Sequence, residues 1–137
     1  MPRLPHALFL AAALFLAAAG CRRTAGPAES YRVFAAAARA GDADAVWARI
    51  AARSRAVLEA RAKDVAARAT GVVPASGKEL VLGDLAAAAA RIRTVTVLRE
   101  SRDAAVLSVE EEGRPGAREV SLVREGGVWR VVLPFDN

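Results

Sequence analysis

Few side chains in this 137-residue sequence could serve as nucleophiles, bases or metal ligands. There is one histidine, His6, and one cysteine, Cys21, and they flank a single apolar stretch near the N-terminus. Arg3 and His6 form a short positive start, residues 7–19 carry no charge, glycine or proline, and Gly20 and Cys21 follow. That order of parts reads as a secretory signal peptide over residues 1–20. An uncleaved membrane span is the other reading of such a stretch. It needs roughly 20 apolar residues, and Cys21, Arg22 and Arg23 end this one too early. Cleavage would remove His6, so the mature chain would offer no imidazole for zinc or for a Ser-His-Asp or Cys-His arrangement.

A lone thiol cannot form a disulfide within its own chain. Its position suggests another use. Ala18-Ala19-Gly20-Cys21 resembles the lipobox of bacterial lipoproteins, with Ala18 where leucine is commonest. The resemblance implies that Cys21 is acylated and becomes the mature N-terminus. Each buried methylene contributes about 0.8 kcal/mol, and lasting attachment takes at least two lipid signals; a diacylglycerol plus an N-acyl chain supplies them. Arg22 stands where aspartate would retain a lipoprotein at the inner membrane. The same resemblance therefore implies an envelope location, at the outer membrane facing the periplasm in a Gram-negative cell.

Carboxylates carry the remaining chemistry. Asp84 and Asp103 are candidate proton-transfer bases, with Tyr31 as a phenolic donor, because an apolar pocket can raise a carboxyl pKa enough for that work. Each has a simpler role: Asp84 as a helix cap, Asp103 as a turn residue, Tyr31 as part of a core stripe. The run Glu110-Glu111-Glu112 lacks the spacing of a calcium loop and reads as a solvated strand end. No glycine-rich phosphate loop is present, and neither metal nor cofactor is expected.

The elements that would position these residues follow from period and punctuation. Residues 21–26 read as a lipidated tether, and residues 27–137 as one domain. Pro27 suits a first helical turn with Glu29 near its positive end. Tyr31, Phe34, Ala35 and Ala38 form one apolar stripe, and Gly41 ends it. Asp42 is an N-cap candidate for a second helix carrying Val46, Ile50 and Val57, continuing to about Ala69 with a break near Ser54. Residues 70–78 read as a loop, and Asp84 as the cap of a third helix through Leu85 and Ile92. The period then changes to two. Val95 and Val97, then Ala105, Leu107 and Val109, then Val120 and Leu122, then Trp129, Val131 and Leu133 alternate with other residues, separated by turns at residues 113–116 and at Gly126-Gly127. Such alternation predicts an antiparallel meander with one buried face, and Pro134 its end. Helices followed by strands imply an α+β domain, helices packed on a sheet of about four strands.

Charge adds little. Removal of residues 1–20 takes away Arg3 alone and leaves 19 basic against 15 acidic residues. Arginines alternate with acids, as in Arg99-Glu100 and Arg124-Glu125, which describes a solvated surface; no basic cluster interleaves with aromatics, so nucleic acid is not an expected partner.

Two stretches resemble small NTF2-like, cystatin-like lipoproteins. Residues 34–47, from Phe34 through Gly41-Asp42 to Trp47, look like their first helical pair. Residues 120–131, with Glu125-Gly126-Gly127 before Trp129-Arg130, look like their last hairpin. The resemblance implies a cone in which a curved antiparallel sheet wraps helices around a pocket. It implies no single function. Tyr31, Phe34, Trp47 and Trp129 are the pocket candidates, although apolar period alone would put both tryptophans in the core. The leading expectation is a non-enzymatic envelope lipoprotein, monomer or homodimer, that binds a small apolar ligand or an envelope protein. An assembly accessory comes second and a small proton-transfer enzyme third. Changing Cys21 to Ser should move the protein from the detergent-rich to the aqueous phase on phase partitioning; continued membrane partition would defeat the anchor.

Overall fold

The computed structural model describes residues 24–69 and 76–136. The leader and Cys21 lie outside the described residues. Four helices precede four strands: α1 Pro27–Ala40, α2 Ala43–Ala48, α3 Ala52–Arg68, α4 Gly77–Ala88, β1 Ile92–Glu100, β2 Ala104–Glu111, β3 Ala117–Glu125 and β4 Val128–Val132, then a 3-10 turn at Pro134–Asp136. The strands form one open antiparallel sheet in the order β1-β2-β3-β4. The domain is therefore α+β, as the change of period predicts.

Local chemistry explains the first helices. Pro27 occupies the first turn of α1 with Glu29, and Gly41 ends the helix in the left-handed region (φ 69°), where its N–H reaches back to the last turn. Tyr31, Phe34 and Ala38 are buried along one side. The Asp42 carboxylate caps α2 by accepting from Ala45 N at 3.0 Å.

The break between α2 and α3 lies at Arg49–Ala51 rather than near Ser54. Ile50 leaves the helix to form a parallel bridge with Val131 of β4. Ala51 N donates to Val131 O (2.9 Å), and Val131 N donates to Arg49 O (2.8 Å). An outer strand presents unpaired backbone groups, and this link satisfies two of those on β4 while burying Ile50 completely. Ser54, inside the first turn of α3, is also fully buried, and its Oγ accepts from Leu133 N at 3.0 Å. Ala51 offers α3 no side-chain cap. The Glu125 carboxylate, from the last residue of β3, accepts from Ala52 N at 3.0 and 3.2 Å and brings negative charge to the helix N-terminus. Arg130 holds that carboxylate from the other side, with Nε at 3.2 Å.

α4 also starts earlier than its sequence reading. Ser76 is the cap, accepting from Glu79 N at 3.3 Å, so Asp84 lies within the helix rather than at its start. Gly77, read as a loop residue, is where α4 meets α3. A Cβ there would stand 2.7 Å from both Glu59 N and Leu58 C, an approach to backbone that only glycine permits. Ile92 belongs to β1, four residues past the end of α4.

In β2, β3 and β4 the expected alternation holds; in β1 it does not, because Val95 is half-buried while Val97, on the same face, is exposed. Ala105, Leu107 and Val109 of β2, Val120 and Leu122 of β3, and Trp129 and Val131 of β4 are buried against the helices. Val106 and Ser108 are only partly buried, and Glu110 is exposed. Gly126 and Gly127 have φ of 57° and 80°, the positive pair that a two-residue hairpin turn requires.

Candidate functional site

Side chains on the inward face of β2 continue by twos from Ala105 through Leu107 and Val109 to Glu111. Parity therefore drives a carboxylate inward at the end of the strand, and Glu111 is buried. This corrects the reading of residues 110–112 as a solvated run; only Glu110 and Glu112 are exposed. A buried carboxylate is costly unless paired. Two arginines pair with it. Arg118 comes from β3, where it stands opposite Val109, and its Nη2 lies 2.8 Å from Glu111 Oε1. Arg114 comes from the β2–β3 turn, its Nη1 3.1 Å from Glu111 Oε2; this is an ion-pair distance without hydrogen-bond alignment.

Arg118 links this pair to the helices. Its Nη2 donates to Tyr31 Oη at 2.6 Å, and its guanidinium carbon lies 5.9 Å from the centre of the Tyr31 ring. Burial acts to lower the Arg118 pKa, but the hydrogen bond to Glu111 and the contacts with Tyr31 outweigh it; the pKa is raised and the group remains charged. Burial raises the Tyr31 pKa above its ordinary 10.0, and the opposing pull of Arg118 does not cancel the shift. The phenol therefore keeps its proton at neutral pH. The phenol oxygen accepts from Arg118, and among the described residues no acceptor takes the phenol's own proton.

This cluster forms the polar end of a cavity of about 350 Å³ between α1, α4, β3 and β4. The remainder of its wall is mainly apolar, including Phe34, Ala35 and Ala38 of α1, Leu85 and Ala89 of α4, Val120 of β3, and Leu133. Phe34 packs beside Tyr31 with ring centres 5.9 Å apart. The volume falls at the lower end of the 300–1,000 Å³ of small-molecule sites, which also pair apolar walls with a few convergent polar groups.

The structure brings together Tyr31 and Phe34 of the four aromatic candidates. Trp129 is a core residue beneath the Arg124 guanidinium, 5.8 Å from its ring centre, and Trp47 packs against the edge of the core; neither lines this cavity. Asp103 is exposed in the β1–β2 turn, at the opposite end of β2 from Glu111, and its carbonyl accepts from Arg124 N at 2.8 Å. The side chain of Asp84 lies outside the described residues. Glu111, Arg114 and Arg118 were not legible as a site from residue type alone; the parity of Glu111 with Leu107 and Val109 was the available signal. Among the described residues no three His, Cys, Asp or Glu side chains group to hold a metal, and no helix is long and apolar enough to cross a membrane.

No protein-family model, curated protein or solved structure matches the chain.

Tyr31 is the sole tyrosine, so its ionisation can be followed optically without overlap. Tyrosinate absorbance in the folded chain should develop only above pH 10. Because the folded pKa is the higher one, stability from this group is intact below pH 10 and is lost as pH rises through the folded value. Ionisation at or below the ordinary value would show that the ring is not enclosed.

Proposed function

We propose that the protein is an envelope lipoprotein, anchored by acyl chains on Cys21, whose NTF2-like domain binds a small and largely apolar ligand. The observation that carries the binding part is the cavity beside Tyr31 and Phe34, with its apolar wall and a single polar end. Its position between α1 and the inward face of the sheet is where the NTF2-like resemblance implies a pocket. The outward sheet face supports an assembly role less well. Thr94, Thr96 and Ser108 lie on it, with the Arg99–Glu119 pair at 3.9 Å, and these divide its valines into small groups. Outer-membrane residence, facing the periplasm, rests on Arg22 beside the acylated cysteine.

The cavity reading is tested with the full-length lipoprotein in lipid nanodiscs and an uncharged naphthalene dye. Energy transfer to the dye from Trp47 and Trp129, the only two tryptophans, distinguishes dye held within the domain from dye dissolved in lipid. Transfer should saturate at one dye per chain. Ala35→Phe, which fills part of the cavity, should weaken binding about tenfold with an unchanged circular dichroism spectrum, on the scale of about 1.4 kcal/mol of lost affinity. Dye binding unaffected by Ala35→Phe would place the dye elsewhere and contradict the proposal.

A further inference from the structure

The polar end of the cavity has a definite sense. Among the described residues Glu111 is the only carboxylate on the inward sheet face there. Its side chain is 7% exposed, both arginines are directed at it, and its Oε2 is enclosed. It has no room for an incoming donor. Oε2 makes no hydrogen bond but is closed to one, so the accessible capacity lies with donors. Tyr31 is 2% exposed and its hydroxyl hydrogen meets no acceptor among the described residues. Arg118 spends one nitrogen, Nη2, on both Glu111 and Tyr31. A guanidinium carries five N–H groups in a planar fork, and the Arg118 side chain is 48% exposed, so its other donors remain accessible.

Arginine reaches this end from two elements, Arg114 from the turn and Arg118 from β3, and both pair with Glu111. Glu119 also borders the cavity, but it alternates with Arg118 and Val120 along β3 and so projects to the other sheet face, where Arg99 pairs with it. A group that meets a free phenolic donor and the open edge of a charged planar guanidinium is best satisfied by a planar anion with two oxygens. Beyond it the wall is apolar.

We infer that the cavity takes a medium-length monocarboxylate, its head on the Tyr31 hydroxyl and the Arg118 guanidinium and its chain beside Phe34, Leu85, Val120 and Leu133. This rests on the ligand-binding reading above and adds the chemical class. An alcohol of equal length would lose the ionic part of the contact, and a quaternary ammonium would meet the arginines with like charge.

The test displaces the naphthalene dye from the full-length lipoprotein in nanodiscs with decanoate, decanol or decyltrimethylammonium. Decanoate should displace at a concentration about tenfold lower than decanol, and the cation should be the weakest, as expected for charge-assisted bonds in a shielded site. Arg118→Lys keeps the charge but not the fork and should lose part of the preference for decanoate. Tyr31→Phe, which leaves the Arg118–Glu111 pair in place, should weaken decanoate about three- to fivefold and decanol by less. Equal displacement by decanoate and decanol would overturn the carboxylate assignment while leaving the pocket standing. Failure of all three to displace the dye would remove the pocket reading and the inference with it.

Discussion

The site depends on one buried carboxylate. Glu111 continues the inward parity of β2, and a charge in that position is tolerable only with cations close by. Arg118 and Arg114 answer it from β3 and from the turn that joins β2 to β3, so the carboxylate fixes the end of the hairpin. Arg118 then reaches Tyr31 of α1, which ties the first helix to the same end of the sheet. The pairing is thus a structural fastening, and it also leaves a donor-rich end on a cavity whose other walls are mainly apolar.

A second fastening works at β4. Ile50 bridges to Val131, Glu125 supplies the cap that Ala51 cannot, and the Ser54 hydroxyl accepts from Leu133 N. These contacts join residues more than seventy positions apart and place the start of α3 against the last strand. Gly77 then lets α4 close on α3 at backbone distance. The cavity is the space left where α4, α1 and the sheet cannot all meet. Its apolar wall is largely alanine and branched aliphatic side chains, which fill less volume than aromatics would.

Much of this architecture was legible in the sequence. Pro27, Gly41 and Asp42 mark helix boundaries through local backbone chemistry, and the change from helical period to alternation marks the sheet. The misplaced boundaries have physical causes. The chain breaks at Arg49–Ala51 because a distant strand edge needs partners, which no local propensity reports. Helix α4 begins at Ser76 rather than Asp84, and here a local signal existed: Ser76 with Glu79 three residues later has the form of a capping box, but Gly77 between them reads as a loop. At the site, type misled and parity informed. Three consecutive glutamates suggest solvent, yet only the middle one shares the face of Leu107 and Val109. Tyr31 and Phe34 were accessible from their stripe. Arg114 and Arg118, in contrast, acquire meaning only once β3 is in register with β2.

Glu111 and Arg118 act as one unit. This is tested most directly by a double-mutant cycle using Glu111→Gln and Arg118→Met, with stability measured by denaturant unfolding at neutral pH. Coupling of about 1–3 kcal/mol between the two changes is the predicted result, the range for residues that share one ionic network. Additivity to within about 0.5 kcal/mol would show that the two side chains stabilise the fold independently, and the account of the site would fail.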